Sequence, residues 1–103
     1  MVLGVSCAEK KCSKPDAEKI QATISIAAGG LSIQGKAGSV EPGATVTITD
    51  TKGKTTTTTA EKDGSFFAPF GQSNAGKGDT LSITQKTKKC KKSDPIKVII
   101  QRP

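Results

Sequence analysis

The chain of 103 residues has no histidine, no tryptophan and no tyrosine. Without histidine it lacks the usual general base near neutral pH and the commonest metal ligand. A Ser-His-Asp or Cys-His arrangement is therefore impossible. Without tryptophan or tyrosine there is no half-polar ring on which a sugar or base can stack, and the one arginine is Arg102. That argues against a sugar-stacking module and against sequence-specific reading of nucleic acid. No apolar run reaches the length needed to span a bilayer, so no transmembrane segment is expected. Apolar residues make up 33% of the chain, and its aromatics are Phe66, Phe67 and Phe70. A core must then come mainly from Val, Ile, Leu and Ala. A chain this short has little core to spare, so any cross-link matters to its stability.

What is present is a repeated two-residue period. Glu41-Pro42-Gly43 signals a tight turn, with Pro presetting the first central position and Gly supplying the positive φ of the second. The turn feeds a run with Ala44, Val46 and Ile48 on one face and Thr45, Thr47 and Thr49 on the other. Such alternation specifies a strand with one buried face. The same pattern predicts strands over Ile20–Ile26, Leu31–Gly35, Ala44–Thr49, Thr55–Ala60, Ser65–Phe70, Thr80–Lys86 and Ile96–Gln101. Asp50-Thr51-Lys52-Gly53 and Asp63-Gly64 are hairpin signals, and the stretch 73–78 reads as a longer Gly-rich loop. Pro95 starts the last strand, where a missing N–H is tolerated. The run Thr55–Thr59 suits an exposed edge strand, with O-glycosylation or an adhesive threonine ladder as the other readings. No helix longer than a turn is expected. The whole reads as an all-β fold, a seven-stranded antiparallel sandwich over residues 19–103 behind a short irregular N-terminal arm, residues 1–18. Its core should be Ile24, Ile26, Leu31, Ile33, Val46, Ile48, Phe66, Phe70, Leu81, Ile83, Val98 and Ile100.

The cysteines are Cys7, Cys12 and Cys90, so at most one intramolecular pair can form and one thiol is left over. With no histidine available, a structural zinc site would need a carboxylate ligand, which is uncommon. A disulfide is the favoured reading. Cys90 pairs with Cys12, which is closer to the first strand, or with Cys7. Closing a loop of about 80 residues contributes on the order of 4 kcal/mol in the chain-entropy model. It also implies an oxidising compartment. Left free, Cys90 would be a reactive thiol, its pKa lowered by the surrounding lysines. Met1–Cys7 is superficially like the end of a lipoprotein signal, but it lacks a basic n-region and a full apolar h-region. A start Met added to an excised domain accounts for it better than lipidation of Cys7.

Asp50, Asp63 and Asp79 all fall at turns, where backbone hydrogen bonding is their ordinary role. Their spacing does not match an EF-hand loop, and Gly35-Lys36-Ala37-Gly38-Ser39 has too few residues between its glycines for a phosphate-binding loop. Neither a catalytic residue nor a cofactor nor a metal is expected.

The charge is unevenly placed. Residues 1–85 hold nine lysines against eight acidic residues, whereas residues 86–103 carry six of the net seven positive charges. Lys86, Lys88, Lys89, Lys91 and Lys92 surround Cys90. Such a cluster attracts polyanions in a salt-dependent way. Plain solvation, or protection against edge pairing, is the alternative.

From Gly35 to Ile100 the chain resembles the bacterial immunoglobulin-like modules found in tandem on surface and secreted proteins. The resemblance lies in Val40-Glu41-Pro42-Gly43-Ala44-Thr45-Val46-Thr47-Ile48-Thr49-Asp50, Lys62-Asp63-Gly64-Ser65-Phe66, Gly78-Asp79-Thr80-Leu81-Ser82-Ile83-Thr84 and Ser93-Asp94-Pro95-Ile96-Lys97-Val98, in that order. The chain is also similar to the transthyretin-like regulatory domain appended to carboxypeptidases, which ranks second. The resemblance implies an immunoglobulin-like fold in a noncatalytic extracellular or cell-envelope module, structural or adhesive, monomeric in isolation and joined to neighbouring domains. The alternative is a binding module whose loop 86–92 contacts an acidic polysaccharide, lipid or protein.

Overall fold

A computed structural model of the protein describes residues 10–25, 30–71 and 78–101. Among these, seven strands form: β1 (Ile20–Ser25), β2 (Gly30–Gly35), β3 (Thr45–Thr49), β4 (Thr55–Thr59), β5 (Phe66–Gly71), β6 (Thr80–Lys86) and β7 (Ile96–Gln101). A single 3-10 turn, Ala17–Lys19, leads into β1, and Asp16 caps it by accepting from the Glu18 N–H at 3.1 Å. Each strand lies where the sequence period places it. Ile26 and the loop residues 73–77 fall outside the described residues.

The turns follow their residue chemistry. The Ala44 N–H donates to the Glu41 carbonyl at 3.1 Å, and Gly43 has φ +72°. Pro followed by a positive-φ Gly is the type II arrangement. Before β5, the Gly64 N–H donates to Glu61 O at 3.0 Å and the Glu61 N–H to Ser65 O at 2.8 Å. Gly64, at φ +83°, also lies under the segment 38–40. Its carbonyl accepts from the Val40 N–H at 3.3 Å and the Ser39 hydroxyl at 3.0 Å.

The strands form one continuous sheet in the order β4-β3-β6-β7-β1-β2-β5. This corrects the expectation of a wholly antiparallel fold. Five neighbouring pairs are antiparallel, but β1 and β7 run parallel, with Ala22 opposite Ile100 and Thr23 opposite Gln101. The cause is parity. Each connection reverses the chain, so all odd-numbered strands point one way, and two odd-numbered strands that meet must be parallel. The hydrogen bonds also describe one sheet rather than two separate ones. It curls until its two ends pack together, and the Thr58 hydroxyl donates to Phe67 O across that junction at 3.1 Å.

The inner face encloses a single core. Leu31, Ile33, Val46, Ile48, Phe66, Phe70, Leu81, Ile83, Val98 and Ile100 are buried as expected, while Ile24 is partly buried at the margin. Ile20, Ala22, Val40, Ala60 and Ala68 complete it. The all-threonine β4 ends the strand order and buries none of its residues fully.

A Cβ at Gly64 would strike the Val40 carbonyl oxygen, whereas one at Gly43 would meet nothing within 4 Å. Gly64→Ala should therefore destabilise the fold by about 2–3 kcal/mol, and Gly43→Ala by about 1 kcal/mol from backbone strain alone. Urea unfolding should show both as midpoint shifts with an unchanged slope, the first clearly larger.

Candidate functional site

β6 ends by turning Gln85 into the interior and Lys86 out to solvent. The chain then folds back on itself. The Thr87 hydroxyl accepts the Lys89 N–H at 3.1 Å, a side-chain turn that closes residues 87–89. The same hydroxyl lies 3.0 Å from Cys90 Sγ and 3.9 Å from Cys12 Sγ. These sulfurs form a disulfide, Cys12–Cys90, with Cα atoms 5.0 Å apart and 78 residues of sequence separation. A bonded sulfur carries no proton, so towards it the threonine must donate. Cys7, the alternative partner, lies outside the described residues.

The disulfide is one of several ties between arm and loop. The Lys91 N–H donates to Lys10 O and the Cys12 N–H to Lys91 O, both at 2.8 Å, leaving Lys11 and Lys91 side by side in a parallel bridge. Beneath them lies Gln85, which is 2% exposed. Its amide donates to Ser13 O at 2.7 Å, and its amide oxygen accepts from the Glu41 N–H at 2.7 Å. Its backbone exchanges bonds with Ser93, accepting from the Ser93 N–H at 2.9 Å and donating to the Ser93 hydroxyl at 3.0 Å. One buried residue thus joins the arm and the β2–β3 connection through its side chain and the segment before β7 through its backbone. Gln85 has no apolar period and no motif to mark it in the sequence, and the motif that contains Ser93 gives no sign of this bond.

At the surface, Lys11 Nζ sits 2.8 Å from Asp94 Oδ1, with both side chains more than half exposed. The hydrogen bond and charge of Lys11 hold the Asp94 carboxyl below its ordinary range, with a smaller pull from the charge of Lys14. An ion pair this exposed adds little to stability. It does remove the one acidic charge of segment 86–101 from competition with the loop lysines.

All five predicted lysines, Lys86, Lys88, Lys89, Lys91 and Lys92, are exposed. The arm brings Lys10 and Lys14, also exposed, to the same end. The sequence gives the arm as charge-balanced, so this contribution was not legible there. Between the Pro42-Gly43 turn and Thr87–Lys89 runs an open groove of about 430 Å³, with Glu41 on its rim. The arrangement offers fixed positive charge. The turn aspartates act on the backbone: Asp50 Oδ1 accepts the N–H groups of Lys52 at 2.9 Å and Lys54 at 2.8 Å. Asp63 Oδ1 accepts from the Ser65 hydroxyl at 2.6 Å and the Ser65 N–H at 2.9 Å, which lowers its pKa. Among the described residues no group of three or more His, Cys, Asp or Glu is placed to hold a metal ion.

A model of the bacterial Ig domain family matches residues 15–101. The chain belongs to that family. Of the two families it resembles, this decides for the immunoglobulin-like one. No curated protein and no solved structure matches this bacterial Ig domain. The matched span takes in all seven strands and the lysine loop but starts after Cys12, so it holds one of the two disulfide cysteines.

Gln85→Leu should leave Ser13 O and the Glu41 N–H without their partner and destabilise the domain by about 2–4 kcal/mol, read as a loss of melting temperature. Asp94 should contribute to acid sensitivity with a definite sign. Its folded-state pKa is depressed, so its contribution is complete above the ordinary carboxylate value and is lost as pH falls through the folded one. Asp94→Asn should accordingly lower the melting temperature slightly at pH 6, and the difference from wild type should shrink as pH falls below the ordinary carboxylate value.

Proposed function

We propose that this bacterial Ig domain is a noncatalytic module of an exported protein, placed at the cell envelope or beyond, where it acts as a spacer or adhesion unit among neighbouring domains. The observation that carries this reading is the Cys12–Cys90 disulfide, built into a domain of this family. Disulfides persist in oxidising compartments and are rare in the cytosol. The lack of histidine, and the commitment of Asp50 and Asp63 to their own turns, support a noncatalytic role. No helix among the described residues is long and apolar enough to cross a membrane.

A second reading has its own observation behind it. The loop lysines and two arm lysines share one end of the domain, which suits contact with an acidic polymer or protein.

Alkylation followed by intact-mass measurement tests the exported reading. At most one thiol should react on protein purified without reductant, and all three after reduction. Three reactive thiols without reductant would remove the basis for export.

A further inference from the structure

The ends of two chain segments meet where the arm crosses the lysine loop. Lys11 and Lys91 are backbone neighbours, and paired strand segments lie about 4.8 Å apart. The backbones of both segments therefore lie closer than one Debye length, about 8–10 Å, so their lysines can act together on a ligand. Holding so many like charges together opposes folding, and the disulfide fixes the arrangement covalently. Two carboxylates stand nearby. Asp94 is engaged by Lys11, and Glu41 guards the groove beside Lys88 and Lys89.

We propose that the Cys12–Cys90 disulfide assembles a composite cationic platform, from Lys10 and Lys14 of the arm and the five lysines of loop 86–92, that binds a linear phosphodiester polymer of the cell surface. This rests on the second reading above and names its ligand. The arginine fork matches carboxylate and phosphate alike; the platform contains no arginine and acts through lysine point charges, which bind phosphate and favour the ligand of highest charge density. Dense, regular phosphates also release the most counterions on binding. A protein partner would need apolar anchors at the centre of its contact. The exposed large apolar side chains among the described residues, Phe67 and Ile99, lie on β5 and β7 instead. The carboxylate of Glu41 directs the polymer along the loop and arm rather than into the groove.

Binding of oxidised protein to synthetic poly(glycerol phosphate), measured against salt concentration, tests this, with hyaluronate at equal charge as comparison and circular dichroism as a check on folding. Wild type should bind the phosphate polymer at least about tenfold more tightly than hyaluronate. Lys10→Ala with Lys14→Ala should weaken binding about 3–10-fold and reduce the salt slope by about 1 to 2. Glu41→Gln should strengthen it about 2–3-fold. On reduction of the disulfide, the effect of the two arm substitutions should disappear. No binding by wild type would overturn both this inference and the second reading. If wild type binds and the arm substitutions change nothing, the platform fails while binding through the loop stands. Equal binding of hyaluronate would overturn the phosphate assignment, and an arm effect that persists after reduction would overturn the role of the disulfide.

Discussion

Among the described residues, every backbone strand pairing that joins β4-β3-β6 to β1-β2-β5 passes through β7, and the Thr58 side-chain bond to Phe67 O only closes the far ends. β7 pairs with β6 over Ile96–Ile99 and with β1 at Ile100 and Gln101, and it sends Val98 and Ile100 into the core. Without it, two three-stranded pieces would each bare an unpaired edge and half of an apolar face. Because β7 follows the other six strands in the chain, neither piece can be completed early. The β1–β7, β3–β6 and β2–β5 pairings are long in sequence, the condition under which β proteins fold slowly.

The lysine-rich end is held by polar interactions, in contrast to the apolar interior. Gln85 has each of its amide atoms bonded, and no buried side-chain nitrogen or oxygen among the described residues lacks a partner. A polar network satisfied in this way specifies one arrangement of the segments it joins. Here those segments carry like charges and would separate if left to electrostatics. Backbone pairing, the Gln85 bonds and the disulfide together set the arm against the loop.

Much of the fold was legible in the sequence because its strands are half-buried and alternate cleanly. Val46, Ile48, Leu81 and Ile83 announce both strand and core through the same period. The small core residues Ala22, Ala60 and Ala68 were harder to place, because alanine is buried or exposed with little difference in pattern. Val40 lies in a connection, where no period operates. The parallel β1–β7 pair depends on which strands become neighbours, and local sequence does not encode that. The lysines of 86–92 and the pair Cys12–Cys90 could be singled out by composition. Gln85 could not, since its role arises only when three distant segments converge on it.

The disulfide also determines how tension would travel through the domain. A pull applied upstream of Cys12 and downstream of Gln101 passes from Cys12 directly to Cys90, so β1 to β6 carry no load along the backbone. What can pay out is the stretch from Cys90 to Gln101, about 11 residues or roughly 40 Å when fully drawn. With the bond reduced, about 90 residues could extend, to roughly 300 Å. The same bond that gathers the lysines makes the domain nearly inextensible, a short stiff link in whatever chain it is threaded into.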